Sequence, residues 1–327
     1  MSVKTNLQAI HDTLWDAMKE DERVLIMGED VGAKGGVFRV TADFLEEFGE
    51  ERVVDTPLAE LSIVGVGIGM AANGLLPVCE IQFADFIHPA FDQIVSEAAR
   101  IRYRSNNHWG CPMVIRAPYG GGIHGALYHS QSVEAFFAHV PGLKVVAPST
   151  PYDTAGLLYS AIHDPDPVIF LEHKKLYRLI KDEIPDELFS VPIGKGEIKR
   201  EGRDVTVFAY GLMLPNALEA AERLAKEGIE VEIMDPRSLY PLDEEMLLES
   251  VKKTSKLLVV YEDNEFGGYG AEVAAIVADR AFMWLDAPIK RVAGPHVPAM
   301  PYNGPQQDWF LPDVDDIEAA IRDLVEF

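Results

Sequence analysis

Short runs of β-branched and apolar residues alternate along the chain with longer segments of helical periodicity. Alternation of this kind is typical of parallel strands joined by crossover helices, so the sequence predicts an α/β fold. In the first part, six segments are expected to be strands: RVLIMG, RVVD, LPVCEIQ, CPMVIRA, LKVVAPS and DPVIFLE. Helices are expected near residues 60–73, 87–105 and 151–163.

The pattern starts again after a polar, proline-bearing segment, LIKDEIPDELFSVPIGKGEIKREGRD, that has no clear period. Beyond it the strand-like runs VTVFAYG, IEVEIMD, KLLVVYED and IKRVAG alternate with helical segments. We therefore predict two domains: residues 1–187 with a parallel sheet, and residues 188–327 as a smaller doubly wound α/β domain.

Charge and composition exclude several classes of partner. Acidic residues outnumber basic ones 53 to 29, a net charge of -24, which disfavours binding to nucleic acid and to anionic membrane surfaces. The longest apolar run, LSIVGVGIGMAANGLLPV, is short for a membrane span and is interrupted by glycines, so it is interpreted as a buried helix and a turn. Cys79 and Cys111 lack CxxC spacing, which predicts neither a disulfide nor a zinc site and favours a cytoplasmic location.

A carboxylate precedes this apolar run in the segment DTPLAE. Thr56 is expected to be the helix N-cap, Pro57 the first helical residue, and Glu60 part of the first turn. Because residues 61–78 carry no charge, Glu60 is expected to enter a desolvated region, where its pKa would be raised and it could hold a proton. The alternative is that Glu60 only complements the helix dipole.

The same run contains GxGxxA at Gly67, Gly69 and Ala72, which could suggest a dinucleotide-binding turn. In such a turn the first glycine directly follows a strand, whereas TPLAELSIV separates RVVD from these glycines. The small residues are therefore expected to let another part of the chain approach a helix closely.

Aromatic residues are expected at the edge of the sheet. Phe83 and Phe86 follow the strand in EIQFADFIHPAFDQIVSEAARIRYR, and ligands bind open α/β sheets at the carboxyl ends of strands. They could stack on a flat heterocycle, or they could pack in the core, as phenylalanine more often does.

Two histidines five residues apart, His124 and His129, lie in the glycine-rich segment GGGIHGALYHSQS. The spacing is not that of HExxH, so a metal site is disfavoured. The glycines permit close approach of a ligand to the backbone, and a histidine there could act as a general acid or base. Histidines hydrogen-bonded in a surface loop remain the alternative.

Taken together, GEDVG, VFRVT, DTPLAE, EIQFADFIHPAFDQI, HGALYHSQSVEAFFAHVPGLKVV and DPVIFLE resemble the beta subunit of the thiamine diphosphate-dependent decarboxylase component of 2-oxo acid dehydrogenase complexes. The resemblance runs nearly end to end. Two segments, EIQFADFIHPAFDQI and HGALYHSQS, are more similar to the branched-chain enzymes than to the pyruvate enzymes. It implies a transketolase-like fold: an aminopyrimidine-binding domain followed by a C-terminal domain for assembly and docking.

The resemblance also implies roles for residues. Glu60 matches the glutamate that hydrogen-bonds N1′ of the aminopyrimidine and favours its imino tautomer, whose nitrogen can take the proton of the thiazolium carbon. Phe86 matches the aromatic residue that packs on the pyrimidine ring. His129 matches an active-site histidine that supplies a proton or positions the acyl group, and His124 is expected to support it.

The family often holds a potassium ion through backbone carbonyls and an acid near SAIHDPDP, which implies a K⁺ site at Ala161, Ile162, Asp164 and Asp166. Asp166 stands where relatives commonly carry asparagine. The chain contains no GDG segment, with which thiamine enzymes hold diphosphate and Mg²⁺. The resemblance therefore implies an alpha subunit that holds most of the Mg²⁺ site, in an α2β2 heterotetramer.

The expected function is thiamine diphosphate-dependent oxidative decarboxylation of branched-chain 2-oxo acids, with reductive acylation of the lipoyl domain of a dihydrolipoyl transacylase. Such a protein is an oxidoreductase that is active only with its alpha subunit. Two alternatives stay open: a pyruvate or acetoin dehydrogenase beta subunit, and a non-catalytic subunit for assembly and docking.

Overall fold

The computed structural model describes residues 1–327. Contacts divide the chain into two compact units, one of residues 1–119 with 136–193 and one of residues 120–135 with 194–327. The segment 120–135 thus groups with the second unit although it lies far from it in sequence. The predicted boundary at residue 187 lies close to the end of the first unit and stays a prediction.

Up to residue 193, strands and helices alternate much as the sequence predicts. The strands are β1 (Ser2–Thr5), β2 (Val24–Gly28), β3 (Val53–Asp55), β4 (Leu76–Glu80), β5 (Val114–Tyr119), β6 (Lys144–Val146), β7 (Val168–His173) and β8 (Lys181–Ile184). The α-helices are α1 (Asn6–Glu20), α2 (Phe44–Phe48), α3 (Glu60–Ala72), α4 (Ile101–Arg104), α5 (Glu134–Ala138), α6 (Pro151–Ile162) and α7 (Leu176–Leu179).

Within the first unit, six parallel strands form a sheet in the order β6-β7-β5-β4-β2-β3. All six are strands that the sequence predicts, and β2, β4, β5 and β7 are buried along their whole length. Strands buried on both faces are typical of parallel sheets covered by helices. A small antiparallel pair, β1 with β8, lies apart from this sheet.

The helix predicted over residues 87–105 is only partly correct. The chain there forms short 3₁₀ turns at Ala84–Phe86, His88–Ala90 and Ala98–Arg100, a π-helical turn at Gln93–Glu97, and only then α4. A proline within the first turns cannot donate a backbone hydrogen bond, which favours short turns over a continuous α-helix.

Beyond residue 193 the structure again alternates strands and helices. The strands are β9 (Glu197–Arg200), β10 (Val205–Ala209), β11 (Val231–Asp235), β12 (Ser238–Tyr240), β13 (Leu257–Asn264) and β14 (Lys290–Gly294). The helices are α8 (Met213–Ala225), α9 (Glu244–Thr254), α10 (Gly270–Arg280), α11 (Gly304–Phe310) and α12 (Val314–Glu326).

The second unit contains a five-stranded sheet in the order β14-β13-β10-β11-β9. The four strands predicted from sequence are parallel, and β9 adds an antiparallel edge within the segment that shows no period. Together the two sheets confirm the predicted fold class, an α/β fold with mostly parallel strands.

No helix in the chain has the length and apolar character that crossing a bilayer requires. Cys79 and Cys111 are both buried and free, and burial raises the pKa of each thiol. Burial and the raised pKa make both thiols poorly reactive.

Candidate active site

The carboxyl edge of the first sheet brings several candidate residues together. In the parallel register, Gly28 at the end of β2 faces Asp55 at the end of β3 and Glu80 at the end of β4. The segments that leave these strands therefore start side by side. Glu60 and Phe86, which the sequence predicts as cofactor contacts, both lie on these segments, at the edge where open α/β sheets bind ligands.

Glu60 is the first residue of α3, and the predicted cap is wrong. The N-cap is Ala59, which makes no side-chain hydrogen bond, while the backbone N–H of Thr56 donates to the carbonyl of Gly28 at 2.9 Å. That bond prolongs the strand pairing past Asp55, so the chain turns into the helix three residues later than expected. Glu60 is half-buried at the helix N-terminus, where the macrodipole favours a negative charge.

Glu29 is a member of this edge that the sequence analysis missed. It directly follows β2 and is half-buried, and burial, then the charges of Asp30 and Glu60, raises its pKa. Glu29 and Glu60 are thus within electrostatic range of each other although 31 positions separate them. The available signal was the acidic pair that directly follows a predicted strand in GED.

The two phenylalanines at this edge have different surroundings. Phe83 is buried, and its ring meets those of Phe38 at 5.5 Å and Phe86 at 6.0 Å, both edge to face. Phe86 is only half-buried, on a 3₁₀ turn that begins four residues after β4. Core packing accounts for Phe83, whereas Phe86 presents part of its ring at the edge.

Gly67 allows α3 to lie close to the sheet, whereas a Cβ on Gly69 would meet nothing within 4 Å. A Cβ on Gly67 would come within 2.5 Å of the Cys79 sulfur on β4, and one on Gly65 would meet Gln93 at 3.6 Å. These glycines stand inside the helix and not in a turn after a strand. Close packing is confirmed at Gly67, and a position inside the helix excludes the dinucleotide fingerprint.

Buried charges along the same edge are compensated. Arg116 is fully buried and donates to Glu80 at 2.7 Å and to Glu172 at 2.6 and 2.8 Å. Tyr177 donates its hydroxyl to Glu172 at 2.6 Å. Burial raises the pKa of Glu80. These carboxylates serve an internal network, which distinguishes them from Glu29 and Glu60.

The histidine-bearing loop belongs to the second unit. His124 is exposed, adopts a left-handed backbone with φ of 57°, and donates its backbone N–H to Gln307 at 3.1 Å. His129 is half-buried and follows a 3₁₀ turn. A Cβ on Gly125 would come within 2.6 Å of the His129 carbonyl oxygen, so this glycine is needed for the chain to fold back on itself.

The residues expected to hold potassium lie at the opposite edge of the first sheet. Ala161 and Ile162 end α6, and Asp164 and Asp166 lie in the turn that leads into the first residue of β7. Amino and carboxyl ends of parallel strands lie on opposite edges, so the structure does not bring these four residues near Glu60 and Phe86.

The carboxylates of this turn already have cationic partners. The Lys144 ammonium contacts both oxygens of Asp164, at 2.5 and 2.6 Å, and Arg102 donates to Asp166 at 2.5 Å. The backbone N–H of Asp166 donates to Asp164 at 2.9 Å, which closes the turn. Acidic oxygens that already pair with lysine and arginine do not fit a K⁺ ion, and the backbone carbonyls that the site was also expected to use stay a prediction. For any other metal, the chain contains no cluster of three or more histidine, cysteine, aspartate or glutamate side chains arranged to hold an ion.

Comparison with protein families finds two matching domains. The transketolase pyrimidine-binding domain matches residues 3–180, and the transketolase C-terminal domain matches residues 194–317. A solved chain described as a split gene transketolase, inactive beta4 tetramer, has a TM-score of 0.80 and covers 99% of this chain and 98% of its own, at 24% identity. That likeness shows the fold.

Two relatives match over the full length of both chains. The 2-oxoisovalerate dehydrogenase subunit beta of Bacillus subtilis is 58% identical over 327 residues. The pyruvate dehydrogenase E1 component subunit beta of the same organism is 46% identical over 327 residues.

Proposed function

This chain belongs to the transketolase-like beta subunits of the 2-oxo acid dehydrogenases, and on that premise we propose that it decarboxylates branched-chain 2-oxo acids together with an alpha subunit. In the same reaction it reductively acylates the lipoyl domain of a dihydrolipoyl transacylase. The observation that carries the chemistry is the placement of Glu60 and Phe86 at one carboxyl edge.

Branched-chain substrates are supported by the difference between the two relatives. Identity is 58% to the 2-oxoisovalerate enzyme and 46% to the pyruvate enzyme over the same 327 residues. Pyruvate is the second candidate, because the more distant relative also matches from end to end. Both candidates share the mechanism and differ in the pocket that receives the substrate side chain.

Thiamine diphosphate fits the residues at the carboxyl edge. When bound, it supplies an electron sink for the carbanion that loss of CO₂ leaves behind. A half-exposed aromatic ring, Phe86, and a carboxylate at a helix start, Glu60, suit an aminopyrimidine, which is flat and offers ring nitrogens for hydrogen bonding. Glu29, whose pKa is raised by burial and by the charges of Asp30 and Glu60, lies within electrostatic range of Glu60.

Four residues of this chain have proposed roles in the reaction. Glu60 would hold the proton shared with N1′ of the aminopyrimidine, and Phe86 would pack on the ring. His129 would supply a proton or position the acyl group during transfer to the lipoyl sulfur, with His124 in support. The partner chain would share in binding the substrate acid and in excluding water.

An alpha subunit is needed because this chain has no GDG segment. The diphosphate and its Mg²⁺ would be held mainly by that partner, in an α2β2 assembly. Exposed apolar side chains beside Glu60, namely Leu58 at 71%, Leu61 at 49% and Val66 at 49%, are a surface that a subunit interface would cover. Potassium is left out of the proposal because Lys144 and Arg102 occupy the carboxylates that would hold it.

We place the reaction in the cytoplasm, where the two free thiols stay reduced. The test is decarboxylation of 2-oxoisovalerate and of pyruvate, with thiamine diphosphate and Mg²⁺ supplied, by the chain alone and by the chain co-expressed with its alpha subunit. We expect activity only in the pair and a preference for 2-oxoisovalerate. Preference for pyruvate would select the second candidate, and an inactive but fully assembled pair would refute both.

A further inference from the structure

The loop of residues 120–135, here called the histidine loop, is fastened to the second unit at three points. Near its start, the backbone N–H of Gly121 donates to Glu262. In its middle, the backbone N–H of His124 donates to Gln307. Near its end, Tyr210 donates its hydroxyl to the Glu134 carboxyl group at 2.8 Å. Of the three, only the contact at Glu134 uses a side chain of the loop itself.

The Glu134 carboxyl group is placed where a charge is costly. The residue has no exposed surface, and its second oxygen is buried without a hydrogen-bond partner. Glu262 and Asp263, both on β13, add negative charge around it. A buried carboxylate in this setting is stable mainly when it carries a proton.

We propose that Glu134 is a positioning residue for His129: its carboxyl group, buried beside Tyr210, Glu262 and Asp263, fastens the histidine loop to the second unit and thereby fixes where the histidine stands. This inference rests on the proposed function for the role of His129. It extends that function to a residue that contacts neither the cofactor nor the substrate.

A pH dependence follows from this arrangement. Burial, then the charges of Asp263 and Glu262, raises the pKa of Glu134 to about 8, and burial raises the pKa of Asp263 to about 6. Hydrogen bonds from its own backbone N–H and from Tyr210 oppose the shift at Glu134 but do not cancel it. The other titratable groups on the loop are His124, Tyr128 and His129.

The direction of the effect is set by linkage. In an opened loop Glu134 faces water and regains an ordinary carboxyl pKa near 4.5. The fastened loop thus binds the proton more tightly, and its stability is full below that value and falls as pH rises towards about 8. Above about pH 8 the loss of stability levels off, because the Glu134 carboxyl group is then ionised in both the fastened and the opened loop.

Hydrogen exchange of the full-length chain tests this without relying on enzyme activity. Protection factors of the histidine-loop amides are measured from about pH 6 to about pH 9, corrected for intrinsic exchange. In the wild type they should fall by about tenfold or more between pH 6 and 8 and then level off. In Glu134→Gln, which keeps an acceptor for Tyr210 and cannot ionise, the same amides should show no such fall.

Tyr210→Phe is the matched control. It removes the hydrogen bond and leaves the ionisable group, so protection should drop by about fivefold where Glu134 is ionised and by less at pH 6, while the fall between pH 6 and 8 persists. Amides of β10 and β13 report whether each variant keeps its fold. If Glu134→Gln shows the same pH dependence as the wild type, the inference is wrong.

The assembled enzyme supplies the second readout, the transfer of the acyl group to lipoyl domains. Glu134→Ala should lower kcat about tenfold or more with little change in the KM for the 2-oxo acid, and Glu134→Gln should restore most of it near neutral pH. Equal kcat in the alanine variant and the wild type would overturn the positioning role. An inactive wild-type pair would instead refute the proposed function and leave the exchange result standing.

Discussion

The two edges of the first unit's sheet carry acidic residues in opposite electrostatic settings. At the carboxyl edge, Glu29 and Glu60 lie within range of each other, and their repulsion contributes to the raised pKa of Glu29. At the amino edge, Asp164 and Asp166 are each paired with a cation, Lys144 and Arg102. The first arrangement costs stability and suits a ligand that shares a proton. The second holds a turn together and needs no ligand.

The strongest test of this contrast is Glu60→Gln. The substitution keeps size and hydrogen-bonding capacity but removes the group that holds the proton, so turnover should fall by about 10²–10⁴-fold while assembly with the alpha subunit is unchanged. Turnover is measured as steady-state decarboxylation of 2-oxoisovalerate, and assembly is measured by size-exclusion chromatography. Asp164→Asn, at the opposite edge, is the control and should keep its turnover. Wild-type turnover in Glu60→Gln would contradict the assignment.

Phe86→Leu should weaken the binding of thiamine diphosphate and leave the fold intact. Loss of ring stacking costs about 0.5–1.5 kcal/mol, so the concentration of thiamine diphosphate needed for half-maximal activity should rise by up to about tenfold. Phe83→Leu is the matched variant, because that ring is buried among Phe38 and Phe86. It should lower the free energy of unfolding and change cofactor affinity less. The reverse pattern would show that Phe83 is the residue that contacts the cofactor.

Lys144→Met should affect stability alone. It leaves Asp164 without its cation, and because both side chains are partly exposed, the free energy of unfolding should fall by only about 1 kcal/mol. Urea denaturation of the chain measures the change, and turnover of the assembled enzyme should equal that of the wild type. A large loss of turnover would show that the amino edge takes part in the reaction.

The smallest expected effect concerns potassium. Because both acidic side chains of the turn are already neutralised, melting temperatures in KCl and NaCl of equal ionic strength should agree within about 1 °C. A clear stabilisation by K⁺ that Asp164→Asn removes would show that the ion displaces Lys144 and binds after all.

Much of the fold could be predicted from the sequence because it depends on local pattern. The six strands of the first sheet and the four parallel strands of the second are short runs of apolar and β-branched residues, and α6 begins at Pro151 with Thr150 as its N-cap. The terminal helix α12 was missed although Asp313 and Asp316 form a capping box.

What could not be predicted depends on contacts distant in sequence. The N–H of Thr56 bonds to Gly28, which delays the start of α3 and makes Ala59 the cap. Glu29 and Glu60 meet only because β2 and β3 pair in register. The grouping of the histidine loop with the second unit rests on bonds such as that from Tyr210 to Glu134, 76 positions away. No periodicity or motif in the sequence predicts contacts between residues so far apart in the chain.

The role of Glu60 is tested most directly by exchange of the thiazolium C2 proton of thiamine diphosphate for deuterium in the assembled enzyme, without substrate. This step isolates the proton removal that the glutamate is proposed to promote. The account predicts that Glu60→Gln slows the exchange by about 10²-fold or more relative to the wild type, whereas Asp164→Asn does not. Equal exchange rates in Glu60→Gln and the wild type would contradict it.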